Sequence, residues 1–225
     1  SFKDDALAAI VFLKNRGLKN IGVIGHSEGG LIAFMLGADV EGLNFVVSLA
    51  GTAVSGDQIL IEQNRVLLEK SGLSADIVNS YCTLLNDIYS LKRSGAQFDR
   101  ESKITELKAK YANLPLQMTG NIAALLQPQP WIDFFISYDP TEALKKIGCR
   151  VLALNGSNDV QVIASQNINA LQKHVTPELL TTKIYPELNH LFQHSTTGMP
   201  NEYYQIEETI SPEVLKDIVD WIKTK

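Results

Sequence analysis

The residues that invite a chemical reading begin in the stretch IGVIGHSEGG, Ile21–Gly30. Gly25-His26-Ser27-Glu28-Gly29 is a G-x-S-x-G pentapeptide with an apolar run before it and a helical pattern after it. In that setting the turn must be tight and the backbone at the serine strained. Side chains at the flanking glycines are expected to collide with the neighbouring strand and helix. Ser27 Oγ is then held at the carboxyl end of a strand. The backbone N–H of Glu28 and the positive end of the following helix face the same space, where an oxyanion would be stabilised. A serine hydroxyl is a weak nucleophile without a base. Two later segments offer partners. VLALNGSNDVQV puts Asp159 in a short loop after an apolar run, and TKIYPELNHLFQ puts His190 in a loop after another. Each has an ordinary alternative: a glycine-rich turn, a solvated loop acid, a structural histidine. Ser27, Asp159 and His190 together, each at a strand end, point instead to a nucleophile, an orienting acid and a general base.

Other residues compete for these roles. His190 and His194 are four apart, a spacing that holds a metal on a helix, but no H-E-x-x-H carboxylate lies between them. His194 is read as structural or solvated, and neither a metal nor a cofactor is implied. His26 is read as a packing residue or a local hydrogen-bonding one. Asp139 is better explained as a helix cap, and Asp133 precedes the third strand and comes too early to be the acid. Trp131, Phe134, Phe135 and Tyr138 either line an acyl pocket or pack in a core.

The elements that must position these groups follow from periodicity and punctuation. Asp4 or Asp5 can start a first helix and Gly17 end it. Asn20–Ile24 is a buried strand, about Glu28–Asp39 a helix, and Asn44–Leu49 a second strand. Strand, helix, strand at this spacing is a βαβ unit with a parallel sheet. From Ser55 to Ser137 strand signals nearly vanish. Ile59, Leu60, Gln63, Val66 and Leu67 share one helical face, Ile77, Tyr81, Leu84, Leu85 and Ile88 another, and Ile104, Leu107 and Tyr111 a third. Residues 55–137 therefore read as a helical insertion between core segments 1–54 and 138–225. In DPTEALKKIG, Asp139 is the expected N-cap and Pro140 the first helical residue. Arg150–Leu154 is a third strand, Gln161–His174 a helix, and Thr181–Tyr185 a fourth strand. A last helix runs from the Ser211 cap to about Lys223, with Val214, Ile218 and Trp221 facing inward.

Composition narrows the function. The 225 residues carry a net charge of -5 and 45% hydrophobic side chains, enough for a sizeable core. No dense Lys/Arg tract suggests nucleic acid, and no apolar stretch is long enough to span a bilayer. Cys82 and Cys149 are the only cysteines and are read as small buried hydrophobes. The chain opens with Ser1-Phe2-Lys3, without an initiator Met or a signal peptide. It is expected to be a piece of a longer protein, and its compartment is not readable.

With these motifs assembled, the sequence resembles the α/β-hydrolases over nearly its whole length, through GHSEGG, NGSNDVQV, NHLFQ and the helical insertion. It is most similar to bacterial serine esterases and serine aminopeptidase-like (S33-type) hydrolases. In that family the triad follows the order Ser, Asp or Glu, His. The resemblance implies Ser27 as nucleophile, Asp159 as acid, His190 as base, and the Glu28 amide as one oxyanion donor. It implies a parallel sheet flanked by helices, with residues 55–137 as a cap. It also implies four strands before the nucleophile strand, and the loop with the second oxyanion donor, which this chain lacks. The first strand would then present an open apolar edge, and a homodimer or an N-terminal segment is expected to cover it.

The expected function is hydrolysis of a small-molecule carboxylic ester through an acyl-enzyme. One alternative is an aminopeptidase or amidase using the same triad, for which no acidic cluster is assignable as an anchor for the substrate amine. The other is a non-catalytic binding or assembly module.

Overall fold

The computed structural model describes Ser1–Thr224. The chain starts with α1, Phe2–Asn15, then β1, Gly22–His26, α2, Glu28–Asp39, and β2, Phe45–Leu49. A helical stretch follows: α3, Gly56–Lys70; α4, Ala75–Ser94; α5, Arg100–Lys110; α6, Leu116–Gly120; α7, Ile122–Leu125; and α8, Pro130–Ser137. The chain then returns to the sheet through α9, Thr141–Lys146; β3, Arg150–Gly156; α10, Ala164–His174; β4, Leu180–Tyr185; and α11, Pro212–Lys223. Contacts divide it into two compact units, Ser1–Val54 with Asp139–Lys225, and Ser55–Tyr138.

In the first unit the four strands pair in the order β1-β2-β3-β4, all parallel. A parallel sheet covered on both faces needs apolar residues at successive positions, and FVVSL and RVLAL supply them. Val46, Val151 and Ala153 point to one face, where Phe34 and Leu36 of α2, Leu144 of α9 and Leu171 of α10 cover them. Val47, Leu152 and Leu154 point to the other, under Val214 and Ile218 of α11. Trp221 also turns inward, edge-on to Phe45 at 6.1 Å, with the Arg150 guanidinium 4.4 Å from its ring centre.

Several boundaries differ from the expected ones for local reasons. Ser1, rather than Asp4 or Asp5, caps α1, and the Asp4 side chain completes a capping box. β1 runs two residues further than expected, to His26, so that the strand ends against Ser27. The Asp139 carboxylate accepts the Thr141 N–H at 2.9 Å, so its capping bond is present although α9 starts after Pro140. α10 begins at Ala164 rather than Gln161, because the chain from Asp159 to Val162 wraps around the Asp159 carboxylate.

The second unit has its own core. Leu84, Leu85 and Ile88 of α4, Leu107 of α5, Tyr111, Ile122 of α7 and Ile136 of α8 are buried together. These are the apolar stripes seen in the sequence, and burying them holds the unit together. Asp133 pairs with Lys92 at 2.8 Å within this unit. Cys82 and Cys149 are free and buried, and burial pushes both thiols up, away from the reactive thiolate.

Candidate active site

Ser27 sits at the junction of β1 and α2 with φ 56° and ψ -121°, a conformation that non-glycine residues rarely adopt. Packing enforces it. A Cβ on Gly25 would lie 1.9 Å from the Gly29 carbonyl oxygen, and one on Gly30 would lie 2.5 Å from Gly51 Cα. Gly29 is different: a Cβ there meets nothing within 4 Å. The expected collision therefore holds for Gly25 but not for Gly29. The second close approach belongs to Gly30, outside the pentapeptide. The Ser27 N–H donates to the Leu49 carbonyl at 2.9 Å, and the Ser27 side chain makes no capping bond to α2. Glu28 opens α2, which puts its backbone N–H at the positive end of that helix.

Because the strands are parallel, the loops that follow them emerge at one edge of the sheet. Asp159 follows β3 and is 4% exposed. Its Oδ1 accepts N–H bonds from Gln161 at 2.8 Å and Val162 at 2.9 Å, which leaves Oδ2 for His190. His190 follows β4 and is 5% exposed, with Nδ1 2.8 Å from Asp159 Oδ2. A carboxylate accepts, so Nδ1 carries the proton and Nε2 is left as the basic nitrogen. The His190 ring centre lies 4.6 Å from that of His26, the residue immediately before Ser27. Thus the residues around Ser27, Asp159 and His190 meet at one sheet edge, although 163 positions separate the first from the last.

The acid and histidine loops are joined by their backbones. The Asn158 N–H donates to the Leu188 carbonyl at 2.9 Å, and a Cβ on Gly156 would lie 2.0 Å from that same oxygen. The Asn189 side chain is fully buried, and its Oδ1 accepts from Leu191 N–H at 2.9 Å and Gln193 N–H at 3.0 Å. Sequence reasoning passed over Gly156, Asn158 and Asn189. The available signal was the Asn-Gly-Ser-Asn-Asp run after one strand and the Pro-Glu-Leu-Asn run after another, the composition of side-chain-braced turns.

His194 lies in a loop, so the helical metal spacing with His190 does not arise, and its Nδ1 is 2.9 Å from Glu208 Oε2. Trp131, Phe134 and Phe135 all lie on α8 of the helical unit. Trp131 and Phe135 stack at 5.7 Å, as do Phe134 and Tyr138 at 5.5 Å. Trp131 and Phe134 are exposed, whereas Phe135 is buried and packs on Gly56. A cavity of about 520 Å³ lies beside His26, walled by Leu49, Leu191, Phe192, Ile206 and Ile210. No helix among the described residues is long and apolar enough to cross a membrane.

The parallel sheet between helices, with a strained serine at the turn from β1 into α2, is the arrangement of the α/β-hydrolase fold. Residues 15–197 match the X-Pro dipeptidyl-peptidase (S15 family), and the chain belongs to that family. At the level of the superfamily this agrees with the likeness carried by the motifs. No curated protein matches the chain. Among solved structures it is similar to an esterase of Pyrococcus furiosus, at 15% identity and a TM-score of 0.48, covering 97% of this chain and 59% of that one. It is also similar to 2,6-dihydroxy-pseudo-oxynicotine hydrolase, at 15% identity and a TM-score of 0.44, covering 84% and 40%. A third is E-2-(acetamidomethylene)succinate hydrolase, at 17% identity and a TM-score of 0.49, covering 99% and 72%. The chain spans 59% and 40% of the length of the first two.

Proposed function

We propose that this chain is a serine hydrolase that cleaves carboxylic esters through an acyl-enzyme, with Ser27 as nucleophile, His190 as general base and Asp159 as its orienting acid. The observation that carries the reading is the buried 2.8 Å bond between His190 Nδ1 and Asp159 Oδ2, at the sheet edge where the strained Ser27 turn also lies. In this reading Ser27 Oγ attacks the carbonyl carbon while its proton passes to His190 Nε2. Asp159 stabilises the imidazolium through the Nδ1–H. The Glu28 N–H and the start of α2 stabilise the oxyanion. The carbon–oxygen bond to the alcohol breaks, and the alcohol leaves with the proton from His190. Water then gives a proton to His190 and attacks the acyl group, which releases the acid and restores Ser27. Trp131, Phe134 and Phe135 are the proposed source of apolar walls for the acyl chain, with the helical unit acting as a cap.

A second reading, a peptidase or amidase with the same triad, is favoured by the description of the family as X-Pro dipeptidyl-peptidases. One experiment separates the readings. The chain is labelled with a fluorophosphonate and assayed on p-nitrophenyl esters of increasing acyl length and on X-Pro arylamides. Ser27→Ala is expected to abolish labelling and to lower ester turnover by about 10⁴-fold or more. Undiminished turnover in that variant removes the triad. Arylamide cleavage without ester cleavage moves the assignment to the second reading. No labelling by any serine-directed reagent moves it to a binding module.

A further inference from the structure

We propose that His26 is a positioning residue, whose hydrogen bond to the His190 main chain sets the distance between nucleophile and base. The inference rests on the triad reading above and goes beyond it. His26 Nε2 lies 2.8 Å from the His190 carbonyl oxygen. A carbonyl oxygen only accepts, so Nε2 carries the proton and His26 donates. The two rings are tilted at 50° with their centres 4.6 Å apart. His26 closes β1, opposite Leu49 in the register of β2, and is covalently next to Ser27. One side chain on the nucleophile turn thus grips the backbone of the base.

The loop that carries His190 needs such a grip. Glu187 and Phe192 flank it with φ of 59° each, in the left-handed region that non-glycine residues avoid. Its conformation is therefore imposed by bonds made across the fold rather than by local preference. On its far side the loop is tied by Asn189 and by the acid loop. Towards the serine the tie is His26. The Asp159 bond fixes the rotation of the imidazole, and the His26 bond fixes its position along the line from base to nucleophile. A displacement of about 1 Å along that line costs on the order of 10² in rate while leaving substrate binding alone.

The test compares His26→Phe, His26→Gln and His26→Asn in the whole chain, with p-nitrophenyl butyrate hydrolysis and fluorophosphonate labelling as readouts. Gln retains an N–H donor at nearly the reach of Nε2, Asn is too short, and Phe keeps ring volume without a donor. The expected result is kcat lowered by about 10- to 100-fold in the Phe and Asn variants, with KM within about twofold. The Gln variant is expected to recover to within about threefold of the parent. If Phe fails to fold, the Asn and Gln pair decides by itself. Equal activity in all four proteins overturns the proposal. So does an equal loss in all three variants, which would mark a packing role. Ser27→Ala and His190→Ala are run alongside. Activity surviving in either removes the triad reading itself, whatever the His26 variants do.

Discussion

At the scale of the residue, the serine turn is built by unequal glycines. The motif treats Gly25 and Gly29 alike, yet only Gly25 faces a backbone obstruction. Replacing Gly25 with Ala would drive a methyl into the Gly29 carbonyl, and the obstacle is backbone that cannot swing aside. We expect Gly25→Ala to destabilise the protein by about 3 kcal/mol or more, the range of severe overpacking. Gly29 lies in the first turn of α2 with open space beside it. Gly29→Ala is expected to change stability by less than about 1 kcal/mol, with a gain favoured because Ala restricts the unfolded chain. Chemical denaturation of both variants checks the contrast. A severe loss in Gly29→Ala would contradict it.

At the scale of the element, α11 is fastened to β4 by polar contacts, Glu213 pairing with Lys183 at 2.7 Å and Asp217 making two bonds of its own. Asp217 Oδ2 accepts from Lys183 Nζ at 2.5 Å and from the hydroxyl of buried Tyr185 at 2.7 Å. The Lys183 bond first, and the Tyr185 bond second, hold the Asp217 carboxyl below the usual carboxylate range. A lowered acid binds its proton later in the folded chain than in the unfolded one, whose value is about 3.9. Its stabilisation is therefore present above that value and is lost as pH falls through the folded value. Asp217→Asn should melt about 2–4 °C lower at pH 7, the shift for ~1 kcal/mol in a domain of this size. The gap to the parent should narrow as pH falls below about 4. A gap that stays constant between pH 7 and pH 3 would show that the charge of Asp217 plays no part.

At the scale of the whole molecule, β1 stands at the edge of the sheet, and among the described residues no strand pairs with its outer side. Ile24 on that strand is 51% exposed. An apolar edge with unpaired backbone groups is a template for another strand. We expect a second copy of the chain to cover it. Sedimentation should then show a dimer, and Ile24→Lys should weaken the self-association at least tenfold, about 1.4 kcal/mol. A chain that stays monomeric at all concentrations would remove this expectation.

What the sequence by itself determined are the features carried by local pattern. The βαβ start, the apolar runs of β2 and β3, the helical stripes of residues 55–137 and the Ser27 turn are each encoded within a few neighbouring residues, where periodicity and steric rules act directly. The inward faces of Val214, Ile218 and Trp221 were legible for the same reason. Tertiary structure decided what depends on contacts between distant segments. That Gly30, rather than Gly29, makes the close approach follows from Gly51, which arrives from the end of β2. The delayed start of α10 follows from an acid loop that spends its N–H groups on Asp159 before a helix can form. The bond from His26 to the His190 carbonyl spans 164 positions, and no local rule pairs a strand-end histidine with a carbonyl in another loop. Such pairings exist because parallel strands deliver their loops to one edge, and a single sequence read in order does not show which of those loops touch.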